Sequence, residues 1–352
     1  MYPILLLLAA EIGPVAPGQA AREPQMAAAG SSIALTFGSG NAIYFTQSQD
    51  ANSFPAPVKV AESDSLMLNR HRGPRIASTG KTLVITAVMG KPLSASLHMP
   101  SKSQGGDLVS WSSRDGGKTW SDGVIVNDVA GAASEGLHAL AAGAHEQVFA
   151  AWLDKRDERG TKLYGALSTD GGASWHRNVL IYESPDGTIC QCCHPSVAID
   201  GNGSITVMWR NTLAGSRDLY IARSVGGGAF SKPEKLGNGT WKLNACPMDG
   251  GGLAFSGGRP VTVWRREHDI FLAKPGENES RIGTGMDPAI AAGNGRVFAI
   301  WSSSSGIQMW NSGRTSAVSS RGGFPALIVL PGSRPVAAWE EDGRIIVRSF
   351  SE

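Results

Sequence analysis

Tyrosine is scarce in this chain, with five in 352 residues. Chemistry that needs a phenol is therefore confined to a few positions, and Tyr44, Tyr164 and Tyr220 fall inside short apolar runs that mark them for packing. Net charge is nearly absent as well, because 32 basic side chains face 30 acidic ones. A balance of +2 gives no electrostatic reason to expect a nucleic acid or an anionic membrane surface as partner. Long apolar runs are missing too. Residues 4–10 form the most apolar stretch, and it is too short to span a bilayer. No segment repeats apolar residues at helical spacing, so an amphipathic helix is not expected.

That short run is followed by a Pro/Gly/Ala-rich stretch and a small-x-small site near Ala20. The pattern is that of a cleaved secretory signal over residues 1–20, although a basic start is missing. It implies a secreted or periplasmic protein whose residues 21–352 form one domain. Cysteine is limited to Cys190, Cys192, Cys193 and Cys246. In an oxidising compartment these four are disulfide candidates, with all three pairings open. The spacing matches no standard metal motif and no cofactor fingerprint occurs, so neither is expected. Soft sulfurs beside His194 leave copper(I) or zinc as the lesser alternative.

Glycine and turn residues are abundant, with 45 Gly. Seven similar units run along the chain, starting near Pro24, Pro74, His138, Pro195, Pro247, Pro288 and Pro325. Each has a Val-rich second strand, usually ending in Trp: residues 33–37, 83–88, 148–152, 205–209, 261–264, 297–301 and 336–339. Third strands follow at 42–46, 108–112, 162–168, 218–224, 269–273, 306–310 and 344–350. Short apolar runs bounded by Gly, Asn and Asp are strand signals. The expected fold is all-β, a propeller of four-stranded antiparallel blades, with seven repeats counted and six blades as the alternative. The last unit ends after its third strand, which leaves ring closure open. Longer connections, residues 89–106, 127–137, 184–194 and 237–248, are of the length that functional loops have.

One turn recurs. Ser113-Arg-Asp115-Gly-Gly-Lys-Thr-Trp120 returns as Ser168-Thr-Asp170-Gly-Gly-Ala-Ser-Trp175 and, worn, as Ser224-Val-Gly-Gly-Gly-Ala-Phe230. The starts are 55 and 56 residues apart. This resembles the Asp-box of the sialidase superfamily, whose members are β-propellers with the box as a structural turn on the rim. Strand directions in a four-stranded meander put such turns on one face. Chemistry is then expected on the other, where inner strands start and second strands end.

That face would gather Arg72, Arg75, Arg210 and Arg265 with His138, His194 and Asp249 as binding residues. Guanidinium groups from several blades suit the carboxylate of an acidic sugar, because each can fork onto both oxygens. Pairing of Arg75 with a neighbouring carboxylate such as Asp154 is the structural alternative. The resemblance implies an arginine triad, and Arg75-Ile76-Ala77 looks like the family's Arg-Ile-Pro with its proline lost. It also implies a Tyr nucleophile, a Glu beside it and an Asp acid. Tyr182 with Glu183, and Asp154, are the candidates. Tyr182 does not match the late-chain position of the family's nucleophile, and Asp154 has a salt bridge to Arg156 as an alternative role. Trp241 is either a sugar platform or a loop anchor. The expected ligand is a glycan or other carboxylate, with hydrolysis of terminal sialosides as the implied reaction and a non-catalytic binding module as the competing class.

Overall fold

The computed structural model describes residues 9–63, 65–89, 106–157 and 159–350. Among them there is no helix, so none that is long and apolar enough to cross a membrane. Seven four-stranded antiparallel sheets form the chain. Blades I to VI each run outward from an inner strand: Ala21–Ala29, Arg75–Ser78, His138–Ala142, Ser196–Ile199, Gly252–Ser256 and Met286–Gly293. Blade VII starts at Gly323–Leu330. Each inner strand touches the next, and the seventh touches the first, so the ring is closed.

The second strands are Ser32–Ser39, Leu83–Met89, Val148–Asp154, Ser204–Arg210, Arg259–Arg266, Arg296–Ser303 and Arg334–Glu341. They carry apolar residues without strict alternation because each is covered on both faces by neighbouring blades. Trp152, Trp209, Trp301 and Trp339 from this layer are among the largest fully buried side chains. Glycines leading into a blade make room for that blade's own tryptophan. A Cβ on Gly322, whose φ is +111°, would lie 2.4 Å from Trp339.

Blade VII has only three strands from its own unit. Its fourth is Ala10–Ile12, paired with Arg344–Ser349 through Ala10↔Val347, Glu11↔Ile346 and Ile12↔Ile345. Ala10 and Ile12 are buried in a core shared with Met26, Leu35 and Val336. The chain start thus closes the ring. Cleavage near Ala20 would remove this strand.

The repeated turn lies between third and fourth strands. Asp115 accepts from the Ser113 hydroxyl, the Lys118 and Thr119 N–H groups and the Thr119 hydroxyl, at 2.8, 3.0, 3.0 and 2.6 Å. These bonds, the Thr119 hydroxyl first, hold its carboxyl well below the usual range. Asp170 accepts the equivalent bonds from Ser168 and Ser174. A copy with alanine in the glycine position closes blade I, where Ala51 has φ +67° and its N–H donates to Ser48 Oγ at 3.2 Å. Each turn also locks onto the preceding blade, Trp120 against Phe45 at 5.2 Å and Trp175 Nε1 onto Ser110 Oγ at 2.8 Å. Gly117 has φ +84°, and a Cβ there would lie 2.0 Å from the Phe45 ring. Gly117→Ala is therefore expected to destabilise by about 1–3 kcal/mol, read from urea unfolding.

Candidate functional site

Register fixes which residues share an end of the ring. Arg75 lies opposite Thr86, His138 opposite Trp152 and Gly323 opposite Glu340. Starts of inner strands and ends of second strands therefore meet at one mouth, and the Ser-x-Asp-Gly-Gly turns occupy the other end. Of the loop expected at 89–106, residues 90–105 lie outside the described ones.

Residues at or just before the starts of the inner strands build a cluster on the ring axis. Glu23, Asp287 and Phe324 each precede a proline and have φ of 55°, 55° and 50°. His71, leading into blade II, has φ 68°. A residue before proline is pushed toward extended backbone, so the left-handed conformation costs on the order of 1–3 kcal/mol per residue. Bulges in the same strands, at Arg22/Gln25, Met286/Ala289 and Gly323/Ala326, accompany the turn of these side chains.

The contacts cross the ring. His71 Nε2 lies 2.9 Å from Asp287 Oδ1, joining blades II and VI. The His71 ring is also 4.4 Å from that of His194, before blade IV, and 5.3 Å from that of Phe324. The His71 backbone N–H donates to Glu23 Oε1 at 2.9 Å, and the Glu23 backbone N–H donates to Glu340 Oε1 at 2.7 Å. On the other side the Asp287 N–H donates to Asp249 Oδ2 at 2.9 Å, with Arg265 Nε 3.2 Å away. Four carboxyl groups and two imidazoles from six blades thus meet where only the axis can bring them together.

Their environments set them apart chemically. Burial pushes the Glu340 carboxyl up to about 7, against a lowering hydrogen bond from the Glu23 N–H. Asp249 is raised by burial first and then by the charge of Asp287, and its Oδ1 is buried without a partner. Burial alone would lower His71, but its hydrogen bond to Asp287 and the surrounding carboxylates hold it above the ordinary value. His194 is driven well below by burial, then by His71 and Arg75. His138 falls to about 3 through burial and then Arg75, and its Nε2 lies 3.0 Å from Thr86 Oγ1. The site holds an imidazolium–carboxylate pair, neutral imidazoles and a carboxylic acid that titrates near neutrality.

The arginines reach this end but turn to the backbone. Arg75 donates to the carbonyls of His71, Gly73 and Pro74, the last two at 3.1 Å. Arg210 donates to those of Asp249, Arg217 and Arg265 at 3.1, 2.6 and 2.9 Å. Arg265 reaches Pro247 O at 2.6 Å, and Arg72 Nε reaches Glu135 O at 2.7 Å. They staple the mouth loops together, although Arg72 keeps one buried guanidinium nitrogen without a partner. Trp241 is buried under Arg210 and Arg265, 5.3 and 5.5 Å from its ring, and anchors the loop they hold. Arg210→Lys cannot bridge three carbonyls and is expected to cost about 3 kcal/mol or more, measured by chemical denaturation.

The catalytic candidates lie elsewhere. Tyr182 is in the outer strand Val179–Tyr182, packed on Trp209, with its hydroxyl accepting from Asn211 Nδ2 at 3.0 Å. Glu183 pairs with Lys162 at 3.0 Å. Asp154 is buried and taken up by Trp152 Nε1 at 2.7 Å and by Arg156 at 2.9 and 3.0 Å. None of these contacts involves the axial cluster. The four thiols are unbonded, with Cys190 Sγ 3.4 Å from Cys193 and 3.7 Å from Cys192, and Cys246 exposed. Glu23, Phe324 and the acidic role of Glu340 escaped the sequence-based selection. The signal was the residue before each unit's proline, which the first and last units also have.

No family profile and no curated protein matches the chain. Solved structures do. An α-L-arabinanase of Penicillium chrysogenum complexed with arabinobiose aligns at TM-score 0.57 and 14% identity over 99% of this chain and 98% of that one. The Hadza microbial sialidase Hz136 aligns at TM-score 0.57 and 13% identity, covering 94% of this chain and 65% of that one. A GH93 α-L-arabinofuranosidase of Fusarium graminearum aligns at TM-score 0.55 and 14% identity, covering 97% of both. The fold is thus a sialidase-like β-propeller. Within that class this chain has seven blades.

Proposed function

We propose that the chain is a glycan-active propeller and that the axial cluster of Glu23, His71, Asp249, Asp287 and Glu340 is its active centre. The observation that carries this is the pairing of unlike carboxyl groups, Glu340 raised to about 7 and Asp287 tied to His71. A carboxyl that keeps its proton near neutrality, with a second carboxyl across the site, is what glycoside hydrolysis requires. Glu340 gives its proton to the glycosidic oxygen, which leaves with the bonding electrons. Asp287, held in place by its 2.9 Å contact with His71 Nε2, takes the proton of the water that attacks the anomeric carbon.

A neutral sugar suits the mouth best, because Arg75 and Arg210 are committed to carbonyls and the axis is lined by acids. The structural neighbours bound to arabinobiose make α-L-arabinofuranosides the first substrates to try. The unpartnered nitrogen of Arg72 favours a second reading, hydrolysis of terminal sialosides. Nitrophenyl α-L-arabinofuranoside and α-sialoside turnover by the wild type separates the two. Binding of arabinobiose or sialic acid without turnover would make the protein a glycan-binding module. Absence of both turnover and millimolar binding would sink the proposal.

A further inference from the structure

A second cluster lies in the mouth wall, beside the axial acids but not part of them. Cys190, Cys192 and Cys193 bring three buried sulfurs within 4.8 Å of one another. Equal bonds of about 2.3 Å to one ion would set sulfurs about 3.8–4.0 Å apart, and the 3.4 and 3.7 Å separations are a small adjustment away. The Met248 thioether packs on the cluster from the connection into blade V. Its backbone is held there at φ +60°, a conformation an unbranched side chain seldom adopts without a reason. No carboxylate or imidazole belongs to the donor set. His194 turns its ring to His71, and its Nδ1 faces Pro195 O at 3.2 Å.

We infer that Cys190, Cys192 and Cys193 form a trigonal binding site for a soft monovalent ion, Cu(I), with Met248 as its thioether cover. Thiolate and thioether donors select Cu(I) or zinc over harder ions. Zinc takes four ligands, the fourth a hard donor or water when protein supplies three. Here three thiols and a thioether are all that converge, and burial excludes water. Binding releases the thiol protons and changes no oxidation state. Three thiolates around a monovalent ion leave a net charge of −2. The Asp249 N–H, 3.4 Å from Cys193 Sγ, and the guanidinium groups of Arg210 and Arg72 nearby offset it. Because His194 follows Cys193 directly, an ion here would also fix the imidazole that stacks on His71.

The test is a titration of the reduced full-length protein under argon with Cu(I) held by bicinchoninate. The expected result is one copper withdrawn per chain, with a near-ultraviolet thiolate-to-copper band. X-ray absorption should report three sulfurs at about 2.3 Å. Cys190→Ser and Cys193→Ser should weaken binding roughly a hundredfold or more, beyond what loss of an outer-shell partner costs. Cys246→Ser should leave it unchanged. Copper remaining with the chelator, coordination by nitrogen or oxygen, or equal uptake by Cys190→Ser would overturn the assignment. So would an isolated protein that carries a Cys190–Cys193 disulfide and, once reduced, takes zinc but no copper. The absorption measurement is made on the wild type and stands even if a variant fails to fold.

Discussion

Glu340→Gln is expected to lower kcat/KM on the glycoside the wild type cleaves by about 10²–10⁴-fold, the contribution of a positioned general acid. The wild-type rate should fall as pH rises through about 7, where the Glu340 carboxyl loses its proton. That limb should be missing from the residual activity of the variant. Stability gives a second readout. The folded-state pKa of Glu340 lies above the ordinary glutamate value of 4.5, so the native state binds the proton more tightly than the unfolded chain does. The native state therefore loses stability as pH rises from about 4.5 to about 7, by on the order of 1–3 kcal/mol after allowing for partial exposure. Glutamine can still accept from the Glu23 N–H and carries no charge to bury. The variant should therefore be inactive yet at least as stable as wild type at pH 8. A structural role for Glu340 would instead lower activity and melting temperature together.

Deleting residues 1–20 is expected to be the most damaging change to the fold. It removes Ala10 and Ile12 from the core that joins blades I and VII, and it takes away the strand that pairs with the outer edge of Arg344–Ser349, whose other edge is held by Arg334–Glu341. Loss of one buried Ile alone costs about 2–5 kcal/mol. The bared edge of Arg344–Ser349 would then offer unpaired backbone groups to other chains. Melting should drop by ten degrees or more, roughly what several kcal/mol is worth in a domain of this size, and light scattering should rise on heating. Ile12→Glu should act in the same direction with the chain otherwise intact. A mature protein that begins after Ala20 and melts cooperatively at the full-length temperature would contradict this use of the chain start.

Most of the architecture was legible because a propeller repeats its signals. The second strand expected at 148–152 is Val148–Asp154, and the third strands expected at 162–168 and 269–273 are Lys162–Ser168 and Asp269–Ala273. Turn chemistry was legible for a local reason, since the seven residues Ser-x-Asp-Gly-Gly-x-Thr/Ser contain the atoms that its hydrogen bonds use. The closing strand was hidden because Ala10-Glu11-Ile12 has only three residues, set in a stretch that reads equally well as a leader. The direction of the mouth also followed from strand order, but the partners within it did not. Whether Arg210 forks onto a ligand or onto three carbonyls depends on loops more than thirty residues apart in sequence, such as those of Asp249 and Arg265. The contacts within the axial cluster, and Glu23 and Phe324 as its members, were hidden for a related reason. Glu23 and Glu340 are 317 residues apart and meet only when the ring closes.

The most direct measurement is a crystal structure of the protein soaked with arabinobiose and, separately, with sialic acid. The predicted result is a sugar ring over the axis, hydrogen-bonded to Glu340 and Asp287 at about 3 Å. A sugar seated in the recess of about 480 Å³ lined by Arg156, Tyr164, Arg177 and Asn178, with the axis left to water, would contradict the assignment of the active centre.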